Sequence, residues 1–330
     1  MWISRLADTL SNYMFSFSVP VDKPVDFLGL MYSSPGGDSE GSRAVNEAFM
    51  DEFRSLIWLT YRCGFSESLT DKNGASVGIY SDAGWGCAIR VSQMLIAQCL
   101  RSTGVFSRDS ILRLFFDTRE APLSIHKMVE IGDSRFGKRP SDWFGPTTGA
   151  RAISSLFNES NCCSDLMRCV VFDSGQIYKD EVVFGKEGVI LILSHRLGLE
   201  SLNLLRYKAT IKSLFGLQFF QGIASGESYV SAYYFFAACD DYLYYLDPHT
   251  VQSALTDVHS HTHQPRVLKM RWNRLNPSLS VGFVVKNSSE FDTLCDSLRK
   301  LNDLFEINDS RPVHTERSFI HNDDDFVTIS

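Results

Sequence analysis

One cysteine of the sequence has neighbours that suit a chemical role. Cys87 follows Gly84, Trp85 and Gly86, and apolar residues then recur at three- and four-residue steps. That period predicts a helix that begins at the cysteine. A free thiol has a pKa of about 8.5, and a helix N-terminus or a nearby imidazolium lowers it. The residues predict an activated thiol or, alternatively, a small apolar residue in the core, which is the usual fate of a cysteine.

A second motif, Asp247-Pro248-His249, supplies an acid and an imidazole. It follows an apolar run at 242–246 that predicts a strand, so both side chains are expected at a strand end. His249 could accept the proton of a thiol, while Asp247 fixes the tautomer of the ring. The alternative is an ordinary turn, because Asp-Pro is common turn chemistry.

Helical patterns dominate the first half of the chain and strand patterns the second, which indicates an α+β fold. The predicted helices are at 46–61, 87–100, 111–116, 148–157 and 290–304, and the predicted strands at 182–184, 189–193, 229–239, 242–246 and 280–285. Loops rich in Gly, Ser or Pro are predicted at 33–42 and 132–146. The expected divisions are an arm at 1–25, a domain at 26–305 with a small inserted lobe at about 107–165, and a flexible tail at 306–330.

Composition excludes several classes of function. The chain has 330 residues, 44% of them hydrophobic, and a net charge of −7, which disfavours nucleic acid as a partner. Its eight cysteines form no CxxC pair, which argues against a zinc finger or a disulfide scaffold and favours reduced thiols in the cytoplasm. Its apolar runs fall short of the roughly 20 residues of a membrane-spanning helix.

Two motifs resemble cofactor sites without matching them. Residues 132–139 nearly spell a phosphate-binding loop, but Arg139 occupies the position of the magnesium-binding hydroxyl. His259, His261 and His263 alternate as metal ligands on a strand would, yet their polar neighbours predict a loop. We therefore expect no cofactor and no metal.

Taken together, the motifs resemble those of the autophagins, cysteine peptidases that process the ubiquitin-like modifier of autophagosome membranes. The stretch 80–87, Tyr-Ser-Asp-Ala-Gly-Trp-Gly-Cys, resembles the nucleophile motif of that family, with further matches at 89–90 and 93–95. The stretch 245–250, Tyr-Leu-Asp-Pro-His-Thr, resembles its Asp-Pro-His motif. Three further stretches agree, at 59–62, 124–138 and 142–146, so that the resemblance runs from about residue 27 to residue 301.

The resemblance implies a papain-like cysteine protease fold with a small inserted lobe. By that similarity Cys87 is the nucleophile, His249 the base, Asp247 its orienting acid and Tyr61 a donor to the oxyanion. In papain the orienting residue follows the histidine, so the order Cys, Asp, His indicates a related lineage.

The resemblance also implies a covered substrate groove. Trp143 matches a tryptophan that covers the C-terminal glycine of the substrate; without the resemblance, a core aromatic would be the simpler interpretation. It would face a mobile loop at about 221–229, with Gly222 and Gly226 as hinges.

The tail contains a short pattern typical of peptides that add a strand to a sheet edge. Phe326 and Ile329 follow three aspartates at 323–325 and would fill alternate pockets of a ubiquitin-like partner. A similar pattern at 291–294 lies in a predicted helix, where packing explains it.

The implied protein is a cytoplasmic monomer that cleaves after the C-terminal glycine of the modifier. Its substrates would be the modifier precursor and the form linked to phosphatidylethanolamine, which requires transient contact with autophagosomal membranes. Two alternatives stay open: a non-catalytic module that binds the same modifier, and a papain-like protease for another ubiquitin-like protein.

Overall fold

The computed structural model describes residues 18–20, 23–37, 39–161, 163–228, 231–301 and 304–312. Within these residues the α-helices are α1 Glu40–Ser55, α2 Cys87–Thr103, α3 Arg108–Leu114, α4 Ile125–Phe136, α5 Pro146–Glu159, α6 Leu204–Phe215 and α7 Ser288–Arg299. The strands are β1 Val25–Phe27, β2 Leu30–Tyr32, β3 Arg62–Cys63, β4 Met167–Phe172, β5 Gln176–Tyr178, β6 Gly188–Arg196, β7 Phe220–Ser228, β8 Ser231–Ala238, β9 Tyr242–Leu246, β10 Gln252–Ser253, β11 Leu268–Arg271, β12 Ser278–Val285 and β13 Glu306–Asn308.

A nine-stranded sheet forms the centre of the molecule, in the order β11-β9-β8-β7-β12-β6-β4, with β1 paired to β8 and β2 to β1. The pairings are antiparallel except for β4 with β6, which run parallel. Two short parallel pairs, β3 with β10 and β5 with β13, lie outside this sheet. The predicted α+β class is confirmed.

Helices cover both faces of the sheet. Along β6, Ile190 and Ile192 belong to the buried cluster that includes α2 and α5, whereas Leu191 and Leu193 belong to the cluster that includes α6 and α7. A strand that is buried on both faces needs apolar side chains in succession, which explains the uninterrupted apolar run.

Helix α2, which begins with Cys87, packs closely on the middle of the sheet. A Cβ atom at Gly282 in β12 would lie 2.7 Å from Cδ1 of Leu95, so only glycine admits the helix at this distance. The start of α2 lies near His249, in the turn that follows β9.

The predicted helix at Cys87 and the predicted strand at 242–246 are confirmed. The helix predicted at 46–61 lies instead at Glu40–Ser55, because Ser39 accepts a hydrogen bond from the Ser42 amide and begins the helix earlier. After Leu56 the chain is extended, and the Trp58 amide donates to the Thr262 carbonyl at 2.9 Å.

Other predicted elements are wrong for reasons of tertiary packing. A loop was expected at 132–146, but residues 132–136 belong to α4. Gly132 lies there under the ring of Phe144. No strand forms at 182–184; Phe184 packs against Phe291 of α7 without a strand partner, with ring centroids 6.4 Å apart. Strand β4 and helices α4 and α6 are among the elements that were not predicted.

The predicted loop at 221–229 is wrong for 221–228, which belong to β7. Gly222 has a φ of +106°, and a Cβ there would lie 2.5 Å from the ring of Tyr234, so the glycine accommodates a side chain of the neighbouring strand β8. Gly226 pairs with Ala232, and its carbonyl accepts the Asn276 amide at 2.8 Å.

Several described elements lie at or across the predicted divisions. Val25, assigned to the arm, begins β1, and 306–308, assigned to the tail, form β13. Buried side chains of α3, α4 and α5 belong to the same cluster as α2, so 107–165 shares the main core. Phe326 and Ile329 lie outside the described residues. Of the helices described, none has the length and apolar character needed to cross a membrane.

Candidate active site

The nucleophile candidate lies at the first turn of α2. Cys87 is fully buried, and the preceding turn is closed by the Gly86 amide, which donates to the Asp82 carbonyl at 2.9 Å. A Cβ at Gly86 would lie 2.6 Å from the Asp82 side chain, so this position requires glycine. The helix N-terminus at Cys87 favours the thiolate.

The imidazole candidate follows β9 in a tightly bonded turn. Oδ1 of Asp247 accepts Nδ1 of His249 at 2.6 Å and the His249 amide at 2.9 Å. The backbone of Asp247 is held in turn, because its carbonyl accepts Trp58 Nε1 at 2.6 Å and its amide donates to Gln264 Oε1 at 2.7 Å. The carboxylate therefore orients the ring and leaves Nε2 toward the thiol.

The structure brings three of the predicted site residues, His249, Trp143 and Tyr61, around the sulfur of Cys87. Burial opposes ionisation of Cys87, but the neighbouring imidazole of His249, with the indole of Trp143 and the hydroxyl of Tyr61, lowers the pKa of the thiol below its ordinary value. Burial likewise disfavours a charged His249, yet Asp247 and Cys87 raise its pKa to about 9. Opposite shifts of this kind stabilise a thiolate–imidazolium pair.

Two tyrosine rings enclose the imidazole. Tyr61 and Tyr233 each meet His249 edge to face with ring centroids 5.3 Å apart. Burial and the neighbouring Cys87 raise the pKa of Tyr61 above its usual range, so its hydroxyl remains a hydrogen-bond donor beside the sulfur. The imidazole thus has few orientations open to it.

Trp143 covers the thiol. Its Nε1 donates to Sγ of Cys87 at 3.3 Å. Trp143 also lines a small, mainly apolar cavity together with Pro146, Gly226 and Ala232. Gly226 therefore lies near Trp143, as expected, whereas Gly222 lies under Tyr234 and is not among the residues that line this cavity.

Several residues that shape the site were not assigned a role from the sequence. They are Trp58, Asp82, Arg90, Asp117, Tyr233 and Gln264. Asp82 and Arg90 lie within the stretches that resemble the nucleophile motif, so the sequence could have indicated that they contribute to the site. Asp117 and Gln264 reach the site only through folding.

The described residues contain no group of three or more His, Cys, Asp and Glu side chains that could hold a metal ion. The three alternating histidines have separate surroundings. The His261 carbonyl accepts Arg62 Nη2 at 3.2 Å, and Nδ1 of His263 lies 2.8 Å from the carbonyl of Arg54.

A buried thiol beside an imidazole that a carboxylate orients, carried by an α+β fold of the papain-like kind, defines a cysteine peptidase. Residues 46–297 match the family model described as the peptidase C54 catalytic domain. The chain belongs to the peptidase C54 family, so the predicted autophagin resemblance is confirmed.

Named relatives support the same family. The chain is 32% identical to a "Probable cysteine protease atg4" of Schizosaccharomyces pombe, over 98% of this chain and 96% of the relative. It is 32% identical to a "Probable cysteine protease ATG4" of Pichia angusta, over 82% of this chain and 64% of the relative. It is also 30% identical to a "Cysteine protease ATG4" of Kluyveromyces marxianus, over 80% of this chain and 68% of the relative. The chain therefore spans less than two thirds of the P. angusta relative.

Proposed function

We propose that this protein cleaves the amide bond after the C-terminal glycine of a ubiquitin-like autophagy modifier. Both the precursor and the conjugate with phosphatidylethanolamine carry a glycyl amide, so one site would serve maturation and release from membranes. The observation that carries the proposal is the thiol of Cys87 between His249, oriented by Asp247, and the covering ring of Trp143.

The geometry supports a two-step reaction. The Cys87 thiolate attacks the glycyl carbonyl carbon and forms a C–S bond, and the charge on the oxygen is stabilised by the Tyr61 hydroxyl. The imidazolium of His249 donates its proton to the nitrogen of the departing amine as the C–N bond breaks. Water, deprotonated by His249, then hydrolyses the thioester and regenerates the thiol. The departing amine is the next residue of the precursor or the ethanolamine of the lipid.

The position of Trp143 supports specificity for glycine. Its indole nitrogen lies 3.3 Å from the sulfur, and Cys87 is fully buried, so a substrate must displace residues that cover the thiol, Trp143 among them. A residue with a Cβ would need more room beside the sulfur than glycine does. Exclusion by shape of this kind discriminates strongly against larger side chains.

The setting of the activity is part of the proposal. We place the protein in the cytoplasm, as a monomer that contacts autophagosomal membranes transiently through its lipid-linked substrate. The docking role of Phe326 and Ile329 also remains a proposal. Its test is deletion of residues 326–329, which should weaken binding of the modifier more than turnover of bound substrate.

The decisive experiment is cleavage of a purified modifier precursor under reducing conditions, together with the lipid conjugate on vesicles. Wild-type protein should release both products, and Cys87→Ser should bind the precursor without cleaving it. Binding without cleavage by the wild type would overturn the proposal in favour of a non-catalytic module. Preferential cleavage of another member in a panel of ubiquitin-like proteins ending in glycine would identify a different substrate.

A further inference from the structure

A cluster of buried charges lies directly beneath the candidate site. Arg90 is one turn beyond Cys87 in α2, and its Nε contacts Oδ2 of Asp82 at 2.7 Å. Its Nη1 contacts Oδ1 of Asp117 at 2.9 Å, and all three side chains are fully buried. Such charges are costly to bury, and apolar residues of similar size often give an equally stable core. Stability alone therefore does not explain the cluster.

Asp82 joins the loop of the nucleophile to the strand that follows Tyr61. Its Oδ1 accepts the Arg62 amide at 2.5 Å, and its own amide donates to the Arg62 carbonyl at 3.1 Å. The Asp82 carbonyl accepts Gly86, and the carboxyl group fills the space that a side chain at Gly86 would need. One residue thus holds the neighbours of both Cys87 and Tyr61.

Asp117 joins α2 to the segment that follows the histidine. Its Oδ2 accepts the Leu255 amide at 2.7 Å, and its own amide donates to the Leu255 carbonyl at 2.7 Å. The same segment is hydrogen-bonded to the backbone of Tyr61. The Tyr61 carbonyl accepts the Gln252 amide at 3.0 Å, and the Tyr61 amide donates to the Pro248 carbonyl at 2.8 Å. The three segments of the site therefore meet at the two carboxylates that Arg90 bridges.

We propose that Asp82, Arg90 and Asp117 are positioning residues that hold the thiol of Cys87 beside the imidazole of His249. The inference rests on the proposed function only in taking these two residues as the reacting pair. Misplacement of a reacting group by about 1 Å can reduce a rate by roughly 100-fold. A cluster that connects the segments of Cys87, Tyr61 and His249 prevents such a misplacement.

The test is Asp82→Asn. An amide can accept one of the two donors, from Arg90 or from Arg62, but presents hydrogens to the other, so the loop before Cys87 must shift. The measurement is the rate of Cys87 alkylation by iodoacetamide between pH 5 and pH 10, without substrate. We expect at least a 10-fold slower reaction near pH 6 and an equal rate at pH 10, where the thiolate no longer depends on His249.

The matched control is Asp173→Asn, which breaks the ion pair between Arg151 of α5 and Asp173 beyond β4. It should lower the unfolding temperature without changing the pH dependence of alkylation. An unchanged profile for Asp82→Asn, or an equal change in both variants, would overturn the proposal. If Asp82→Asn does not fold, Asp117→Asn is tested by the same alkylation measurement. If neither variant folds, the cluster is a requirement of the fold and the positioning role is refuted.

The inference and the proposed function fail separately. Alkylation of the thiol needs no modifier, so a changed profile supports positioning even if the precursor is not cleaved. Conversely, a modifier precursor that is cleaved by wild type with an unperturbed Asp82→Asn profile would leave the function intact and reject the positioning role.

Discussion

Replacement of Asp247 by asparagine tests the electrostatics of the site most directly. The pKa of His249 rises from its ordinary 6.5 to about 9 because Asp247 and Cys87 together outweigh burial. At about 1.4 kcal/mol per tenfold change, this amounts to about 3 kcal/mol in favour of the imidazolium. Asp247 raises this pKa through both a hydrogen bond and its charge. Its hydrogen bond is the largest of the interactions that favour the charged ring.

In Asp247→Asn, burial still disfavours the charged ring, so the pKa of His249 should fall toward or below 6.5. At pH 8 the protonated fraction of His249 would then drop from roughly 90% to roughly 3%. Loss of the correct tautomer adds to this, and we expect kcat/KM to fall by about 10² to 10⁴. Because the imidazolium is present below its pKa and lost above it, the descending limb of the pH profile should move from near 9 to below 8.

The assay is cleavage of a modifier precursor from pH 6 to pH 10. The matched control is Asp257→Asn, since Oδ1 of Asp257 accepts the His259 amide at 2.5 Å in a second Asp-x-His turn away from the thiol. That variant should retain the wild-type rate and profile. A descending limb that stays near 9 in Asp247→Asn, or a rate within about threefold of wild type, would refute the electrostatic explanation.

Three further substitutions test separate parts of the structure. Trp143→Ala should open the cover over Cys87 and reduce the preference for glycine over alanine before the scissile bond by about 10-fold, as measured by kcat/KM on two precursors. Tyr61→Phe keeps the ring but removes the hydroxyl, and kcat should fall by about 10² to 10³ with little change in KM. Gly222→Ala should lower the free energy of unfolding by about 2 kcal/mol more than Gly74→Ala in urea titrations, because both glycines have positive φ but only Gly222 faces a ring.

Each of these outcomes has a clear opposite. An unchanged glycine preference in Trp143→Ala would remove the steric explanation of specificity. A Tyr61→Phe variant with wild-type kcat would leave the tyrosine only a packing role. Equal destabilisation at Gly222 and Gly74 would mean that the neighbouring ring yields to a methyl group.

Local patterns predicted the elements whose neighbours in sequence decide their structure. The helix at Cys87 and the strand at 242–246 carry their own apolar periods, and the structure has both. Elements decided by distant contacts were missed. The family resemblance implied a mobile loop at about 221–229, yet 221–228 belong to a strand that lies between two others in the sheet. Gly132 suggested a loop but lies in a helix, beneath Phe144.

By itself, the sequence determined the chemistry available to this protein: a cysteine at a helix start, a carboxylate and an imidazole in one short turn, and the family motifs around them. Only the tertiary structure decided whether that chemistry could operate. The meeting of Cys87 with His249, and the opposite shifts of their pKa values, depend on burial and on contacts with residues remote in sequence. Asp117 has no local pattern, because its role consists entirely of contacts with Arg90 and Leu255, which folding brings to it.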